Sequence, residues 1–196
     1  RKIGHAGTLD PLASGLLIIG IGPGTKKLEH FLKLPKTYEA TILFGTSTTS
    51  GDIEGEVLKE EKVEALEEAH VRQTVASLVG EHTTIAPIYS AIKVGGKPLY
   101  WYARRGCCPI EMPCRISSVQ EAELRELWHE GGTWKAKVFF DVESGTYIRT
   151  LVELLGEKLG VPACMCGLRR LSIDSYNVSD ALQLESKDGI LQILTA

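Results

Sequence analysis

Hydrophobic and polar residues alternate along Thr37–Phe44, which is the pattern of a β-strand that buries one face. The same alternation recurs over Trp134–Val142, directly after a Gly-Gly turn. A short apolar run, Leu16–Ile19, predicts a buried strand after a glycine-spaced loop, and Arg170–Ser175 predicts a further short strand. We therefore expect strands near both ends and in the middle of the chain.

Four other segments are predicted to be helices: Thr25–Leu34, Val63–Val79, Pro98–Arg105 and Thr150–Leu159. Acidic residues gather at the N-terminal end of the second segment, where the helix dipole favours negative charge. Gly80 and Gly160 follow the second and fourth segments and are typical of helix ends. Gly45–Gly55, which is rich in Thr, Ser and Gly, predicts a loop, and so does the stretch around Pro162 and Gly167.

Strands and helices follow one another without a strict alternation, which favours a mixed sheet over a doubly wound parallel one. The predicted fold class is α/β in the broad sense (α+β), with a mostly antiparallel sheet and helices on its faces. A chain of 196 residues is sufficient for one domain, which we place at residues 1–196. With 43% hydrophobic and 24% charged residues, the composition excludes a disordered or coiled-coil protein. No apolar run approaches the roughly 20 residues of a membrane span, so we expect no membrane function.

The net charge of −3 is unevenly distributed, because eight acidic and only two basic residues lie between Asp52 and Glu68. Basic residues cluster elsewhere, at Lys26/Lys27, Lys93/Lys97, Arg104/Arg105 and Arg169/Arg170. Phosphate binding depends on local basic surfaces, so the bulk charge neither requires nor excludes an RNA partner. Ordinary solvated surface charge is the simpler explanation of these clusters when the charge pattern stands alone.

Five cysteines are present, and none of their spacings is the paired Cys-x-x-Cys of a zinc or redox site. We interpret them as reduced thiols of a cytoplasmic protein, and we expect no metal site. The chain begins with Arg1 and has no signal-peptide pattern, so no targeting segment is predicted. A start without methionine predicts that the chain begins partway into a longer polypeptide.

Two motifs are similar to nucleotide-binding motifs but differ in spacing. Gly20–Lys27 has three residues between its outer glycines where a P-loop has four, and Thr25 precedes the lysine instead of following it. Tyr89 and Lys93 have the spacing of the Tyr-x-x-x-Lys pair of short-chain dehydrogenases, but no Gly-x-Gly-x-x-Gly turn accompanies them. We therefore predict no nucleotide cofactor.

Asp10 lies in a loop with three glycines, just before an apolar strand. An aspartate before a proline is most often a turn or cap residue. The glycine-containing loop would also suit a buried catalytic carboxylate, which needs a nearby cation to remain ionised at neutral pH. Arg149, which we place at the end of a strand, is the candidate partner, and its charge is expected to lower the pKa of Asp10.

The segment Gly4–Gly15, with the sequence GHAGTLDPLASG, resembles the catalytic-aspartate motif of the bacterial TruB-type tRNA pseudouridine synthases. Further blocks match this family in the same order: Lys36–Gly45, Pro87–Tyr100, Gly145–Thr150 and Leu168–Leu171. The resemblance implies the pseudouridine synthase fold, a bent mixed sheet with the active-site cleft across it.

The resemblance also implies the reaction, which converts a uridine in the T arm of tRNA, at position 55 in tRNA numbering, into its C-glycoside isomer. No cofactor, metal or guide RNA is expected, and tRNA is the expected partner. Asp10 corresponds to the catalytic carboxylate. Three roles for it stay open: attack on the base, attack on the sugar, or removal of a proton from the sugar.

Other residue functions are implied by positions in the family's motifs. Arg149 corresponds to the arginine that pairs with the aspartate, and Tyr38 to the aromatic residue that stacks on the extruded uracil. Tyr147 and Leu168 are expected to line the apolar side of the pocket. His5 is expected to contact the RNA loop, although a lone histidine beside glycines is more often an ordinary surface residue. Phosphate contacts are expected from four basic residues: Lys26, Lys97, Arg169 and Arg170.

The sequence departs from the family pattern at both ends. A Lys-Pro and Gly-x-Thr-Ser block that precedes the aspartate motif in the family, and a small C-terminal RNA-binding domain, are not found in it, so we expect weak RNA binding. Two other functions are compatible with the motifs: a guide-RNA-dependent, dyskerin-like synthase and a non-catalytic tRNA-binding module. The Pro87–Arg104 block favours the stand-alone enzyme, and the retained Asp10, Tyr38 and Arg149 argue against a module without activity.

Overall fold

The computed structural model of the chain describes residues 2–187 and 190–194. The strands are β1 (Ile3–Ala6), β2 (Ala13–Gly15), β3 (Ile18–Ile21), β4 (Lys36–Phe44), β5 (Thr46–Thr48), β6 (Val57–Glu60), β7 (Gly80–Ile85), β8 (Lys93–Val94), β9 (Lys97–Pro98), β10 (Cys114–Glu130), β11 (Thr133–Val142), β12 (Ala163–Ile173), β13 (Tyr176–Asn177), β14 (Gln183–Lys187) and β15 (Ile190–Leu194). The α-helices are α1 (Leu28–Leu32), α2 (Glu68–Ala76), α3 (Leu99–Ala103) and α4 (Ile148–Leu159). Two short 3₁₀ helices span Gly22–Lys27 and Val178–Asp180.

The main sheet has the strand order β13-β12-β4-β11-β10-β7. These neighbours pair antiparallel, and β2 joins the sheet by pairing in parallel with β12. The remaining strands form four two-stranded sheets, β1-β3, β5-β6, β8-β9 and β14-β15. The predicted mixed, mostly antiparallel sheet is therefore confirmed.

One face of the main sheet is buried, and α2 and α4 pack against that face. Ala40, Ile42 and Phe44 of β4 point into this core, as the alternation predicted. The two helices contribute Val71, Val75, Leu151 and Leu155. Burying each large aliphatic side chain stabilises the fold by roughly 1.5–3 kcal/mol, so this core positions the first turn of α4 firmly over the sheet.

Helix α4 confirms the prediction over Thr150–Leu159 and begins two residues earlier, at Ile148. Gly160 ends it in the left-handed conformation, with φ 73°, which glycine adopts without strain. The predicted helix over Pro98–Arg105 is confirmed as α3. Both helices lie beside the site that is described below.

Helix α2 is shorter than the predicted Val63–Val79 at both ends: it begins at Glu68 and ends at Ala76. Val63 and Leu66 pack against the core although they precede the helix, so their spacing imitates a longer apolar helix face. The predicted helix Thr25–Leu34 is instead a 3₁₀ turn that continues into α1.

One strand prediction is wrong in extent, and one strand of the sheet has no counterpart in the sequence prediction. The strand predicted over Arg170–Ser175 is the end of β12, which also includes the predicted loop around Gly167. A Cβ at Gly167 would lie only 3.2 Å from the Thr41 hydroxyl, so this glycine permits close contact between strands. Strand β10 escapes the sequence pattern because two bulges interrupt its alternation.

Near the N-terminus, the predicted loop Gly4–Gly15 contains β1 and β2. The apolar run Leu16–Ile19 gives a strand displaced by two residues, β3, which pairs with β1. The part of this loop that stays irregular, between Ala6 and Ala13, carries Asp10.

Candidate active site

Asp10 lies in the loop that joins β1 to β2. A tight turn closes the loop around it, in which the Ala13 N–H donates to the Asp10 carbonyl oxygen at 2.9 Å. Gly15 ends the loop with φ 103°, and a Cβ at this position would collide with the Arg170 carbonyl oxygen of β12. Glycine at position 15 therefore allows the Asp10 loop to lie directly against the sheet.

Arg149 lies in the first turn of α4, so our placement of it at the end of a strand is wrong. Its guanidinium is 4% exposed and forms a bidentate pair with Asp10. Nε donates to Asp10 Oδ2 at 3.0 Å, and Nη2 donates to Oδ1 at 3.1 Å. Such pairs are stronger and more directional than single contacts. The expected pairing of Asp10 with Arg149 is present.

Asp52 is a second carboxylate at this site, and the sequence analysis did not identify it. Its Oδ2 lies 3.8 Å from Arg149 Nε, and its side chain is 5% exposed. Ser50 Oγ donates to Asp52 Oδ1 at 2.6 Å, and the Glu54 N–H donates to the same oxygen at 3.1 Å. Hydrogen bonds within its own turn therefore hold Asp52 beside the guanidinium.

Backbone carbonyls complete the environment of Arg149. Nη1 donates to the Ser50 carbonyl oxygen at 2.9 Å, and Nη2 donates to the Tyr89 carbonyl oxygen at 3.0 Å. These partners come from the turn after β5 and from the segment after β7. The guanidinium consequently ties the Asp10 loop and two other segments to α4, and its orientation is fixed.

Burial raises the pKa of Asp10 above its ordinary value of 3.8, and the nearby Arg149 guanidinium opposes this rise without cancelling it. The negative charge of Asp52 raises the pKa of Asp10 further. Our expectation of a lowered pKa is wrong, because the guanidinium does not offset the desolvation of Asp10, and the unpredicted second carboxylate adds to the rise.

An open cleft of about 730 Å³ borders the Asp10–Arg149 pair. The Asp10 side chain is 30% exposed, whereas Arg149 lies almost entirely behind it. Other described residues that line the cleft include Asp52, Glu54, Tyr89, Ala103, Cys107 and Cys108. The carboxylate therefore faces a space that is large enough for a single extruded nucleobase.

The described lining of the cleft does not include Tyr38, Tyr147 or Leu168. Burial raises the pKa of the Tyr38 hydroxyl, and the adjacent Arg170 guanidinium opposes that rise. Tyr147 is the half-buried residue that precedes α4, and Leu168 is buried in β12, opposite Ala40 of β4. Their roles as stacking and pocket residues stay predictions.

Three of the predicted RNA-contacting side chains are exposed on separate elements. His5 lies on β1, Lys26 lies on the first 3₁₀ helix, and Lys97 lies on β9 beside the Trp101 ring, with Nζ 5.5 Å from its centroid. Arg105 stacks on the same ring at 3.9 Å. Contacts of these residues with RNA stay predictions.

Arg169 and Arg170 differ sharply although they are adjacent. Arg169 is exposed and lies opposite Glu39 in the β4–β12 register, on the sheet face that points away from the core. Arg170 is 1% exposed, and its guanidinium donates to backbone carbonyl oxygens. A side chain with so little exposed surface cannot reach a phosphate, so the expectation of a phosphate contact at Arg170 is wrong.

The described residues form neither a disulfide nor a cluster of metal ligands. All five cysteines are free thiols, and burial raises the pKa of Cys164 to about 12. Among the residues that the structure describes, no group of three or more His, Cys, Asp or Glu side chains is arranged to hold a metal ion. None of the described helices is long and apolar enough to cross a bilayer.

Several curated proteins that are similar to this chain are named tRNA pseudouridine synthase B. The tRNA pseudouridine synthase B of Bacillus subtilis is 39% identical over 98% of this chain, and that of Bacillus licheniformis is 40% identical over 97%. The corresponding protein of Burkholderia mallei is 41% identical over 98% of this chain. The chain spans 62 to 64% of the length of these relatives.

Two solved structures are similar to this chain in fold. A Cbf5–Nop10–Gar1 complex aligns with a TM-score of 0.65 and 25% identity, over 90% of this chain and 42% of that chain. A structure of an H/ACA ribonucleoprotein bound to a substrate RNA aligns with a TM-score of 0.61 and 24% identity, over 90% and 40% of the two chains. The second similarity concerns the fold alone.

Residues 1–148 match the description of the TruB family of pseudouridylate synthases, over the N-terminal domain of that family. This segment includes Asp10 and the turn that holds Asp52. Because the match covers most of the chain and the relatives named above agree with it, the chain belongs to the TruB family of pseudouridylate synthases.

Proposed function

We propose that this protein isomerises uridine to pseudouridine in tRNA, at position 55 in the T arm and without a guide RNA. The observation that carries the proposal is the bidentate pair of Asp10 and Arg149 at the border of an open cleft of about 730 Å³, in a TruB-family chain. The names of the curated relatives support tRNA as the substrate class.

The geometry of the pair suits a carboxylate that acts on a bound nucleotide. Arg149 donates to the two carboxylate oxygens of Asp10 through Nε and Nη2, so the carboxylate faces the cleft in one orientation. Holding a reacting group in a fixed orientation supplies a large part of a rate enhancement. Asp10 is thus the proposed catalytic residue, and Arg149 is the residue that positions it.

The proposed reaction breaks the N1–C1′ glycosidic bond of the uridine and forms a bond from C5 of the base to C1′. The proton on C5 is lost to solvent and N1 acquires one, so the reaction involves no net oxidation. The uridine must leave its stack to enter the cleft, and a flat aromatic side chain such as Tyr38 suits the extruded base. Three alternative roles of Asp10 are compatible with this reaction: attack on the base, attack on the sugar, or removal of a proton from the sugar.

A guide-dependent enzyme is the second candidate, because the structural neighbours include a substrate-bound H/ACA ribonucleoprotein. Relatives at 39 to 41% identity are named tRNA pseudouridine synthase B, whereas the two solved structures are 24 to 25% identical. The stand-alone enzyme is therefore the better supported of the two.

A T-arm minihelix with tritium at C5 of a single uridine tests the proposal. The full chain is incubated with this RNA in the absence of any guide RNA, and tritium release is measured. We expect release from a label at position 55 and none when the label lies at another uridine of the same minihelix. No release from either RNA would reject the stand-alone function, and release that requires an added guide RNA would favour the second candidate.

A further inference from the structure

Arg170 is the largest fully buried side chain of the described core, at 1% exposure. Its Nε donates to the Leu16 carbonyl oxygen at 2.7 Å, and its Nη2 donates to the Gly7 carbonyl oxygen at 3.1 Å. Gly7 precedes Asp10 and Leu16 follows it, so one guanidinium contacts the Asp10 loop on both sides of the carboxylate.

The backbone of Arg170 contacts the same loop. Its carbonyl oxygen accepts a hydrogen bond from the Leu16 N–H at 2.9 Å, and Gly15 lies opposite it in the parallel β2–β12 pairing. The absence of a Cβ at Gly15 allows this close approach. Side chain and main chain of one residue therefore fix the exit of the loop, and the side chain also fixes its entrance.

Burying the charged guanidinium of Arg170 costs free energy, so its hydrogen-bond partners indicate what the charge does for the fold. A buried guanidinium loses its hydration, so stability alone is better served by an apolar side chain of similar size. Lys36 adds a second cation nearby, and burial together with the charge of Arg170 lowers the pKa of Lys36 to about 8. The oxygens that compensate Arg170 belong to the Asp10 loop, which suggests that the charge is retained for the geometry of that loop.

Arg170 also lies opposite Tyr38 in the antiparallel β4–β12 pairing, so the two side chains share one face of the sheet. Burial raises the pKa of the Tyr38 hydroxyl, and the adjacent Arg170 guanidinium opposes that rise through its charge and a hydrogen bond. A single residue thus contacts both sides of the Asp10 loop and the predicted stacking residue.

We propose that Arg170 is a positioning residue, which clamps the Asp10 loop at Gly7 and Leu16 and so sets the position of Asp10 relative to Tyr38. The proposal rests on the proposed function for its catalytic consequence, but not for the clamp itself. A displacement of about 1 Å at a reacting group lowers a rate by about 100-fold, so loosening the loop affects turnover more than RNA binding.

The variants Arg170→Met and Arg170→Lys test the clamp. Methionine keeps an unbranched apolar side chain and removes all donors, whereas lysine keeps the charge and can reach one carbonyl oxygen in place of two. Val138→Ala is the matched control, because Val138 is a buried β11 residue whose loss loosens the core without touching the loop.

Amide hydrogen exchange over residues 7–16 is the first measurement, since it needs no catalytic activity. We expect faster exchange of the Ala13 and Leu16 amides in Arg170→Met, a smaller increase in Arg170→Lys, and little change in Val138→Ala. Unchanged exchange in both Arg170 variants would overturn the clamp.

Turnover of the T-arm minihelix is the second measurement. We expect Arg170→Met to lower kcat by about 10- to 100-fold, with KM and the salt dependence of binding unchanged within about twofold. Arg170→Lys should recover part of kcat.

Two results would contradict the clamp. A shallower salt dependence with normal kcat in Arg170→Met would identify a phosphate contact. An equal loss of kcat in Val138→Ala would identify general destabilisation. If the wild-type chain itself releases no tritium, the proposed function fails, and the exchange measurement still decides the clamp.

Discussion

Charged residues occur in two regions near the cleft, and they are held in opposite ways. In the first region, the guanidinium of Arg149 is 4% exposed and donates four hydrogen bonds, two of them to Asp10. In the second region, the α3 patch (Lys97, Trp101 and Arg105), both cations are exposed and lie over one aromatic ring. One region is a buried hydrogen-bonded network, and the other is an exposed pair of cations that contact one aromatic side chain.

The difference corresponds to the two functions that we propose for these regions, catalysis and RNA binding. A buried, multiply bonded charge keeps its geometry but is costly to desolvate, which suits a reacting centre. An exposed cation over an aromatic ring is worth about 0.5–1 kcal/mol and keeps its freedom, which suits contact with a flexible phosphate backbone. We therefore expect variants of the first region to change turnover and variants of the second to change RNA binding.

Asp10→Asn should have the largest effect. Asparagine has the same shape and still accepts a hydrogen bond from Arg149, but it cannot act as a carboxylate, so tritium release from the minihelix should be abolished. Folding and RNA affinity should change little, as measured by thermal unfolding and by RNA titration. A variant that still releases tritium would remove Asp10 from its proposed role.

Tyr38→Ala should have the next largest effect. Loss of one base–aromatic stack costs about 1–3 kcal/mol, which corresponds to roughly 5- to 150-fold in kcat/KM. Tyr38→Phe keeps the ring and removes only the hydroxyl, so its kcat/KM should remain close to that of the wild type. Equal losses in the two variants would point to the hydroxyl instead of the ring.

Asp52→Asn should shift the pH dependence. If ionised Asp10 is required, kcat/KM falls as the pH decreases through the pKa of Asp10, which burial and Asp52 raise. Removing the charge of Asp52 lowers that pKa, so the acidic limb of the profile should move to lower pH. Glu54→Gln, at another acid of the cleft, is the control and should leave the limb in place. An unmoved limb in Asp52→Asn would contradict this coupling.

Lys97→Ala should have the smallest effect. Removing one phosphate contact lowers the slope of log affinity against log salt by about 1 and leaves kcat unchanged. Lys62→Ala, which removes an exposed lysine paired with Glu64 in the acid-rich segment, is the control and should leave the slope unchanged. A fall in kcat without a change in slope would show that the α3 patch does not follow the division between the two regions.

The Asp10–Arg149 pair could be predicted from the sequence because both residues lie in distinctive local motifs. Asp52 could not, since an aspartate among Thr, Ser and Gly residues has the pattern of an ordinary turn. Its function depends on contact with Arg149, which is distant in the sequence. The raised pKa of Asp10 escaped prediction for the same reason, because it depends on burial and on that second carboxylate.

Arg169 and Arg170 differ because β12 includes both of them, whereas the predicted strand began at Arg170. Neighbouring residues of a strand point to opposite faces, so in β12 one arginine of the pair had to face the core. Strand β10 is the opposite case, because its two bulges disrupt the alternation from which a strand is predicted.

The sequence by itself determined the mostly antiparallel sheet, the apolar face of β4, helix α4 and the pairing of Asp10 with Arg149. These follow from periodicity and from motifs of adjacent residues, in which local geometry decides the outcome. The tertiary structure alone decided which charges are buried, which carbonyl oxygens compensate them and that Arg170 clamps the Asp10 loop from within. Desolvation and hydrogen bonding across distant segments depend on packing in three dimensions, and no pattern along the chain encodes them directly.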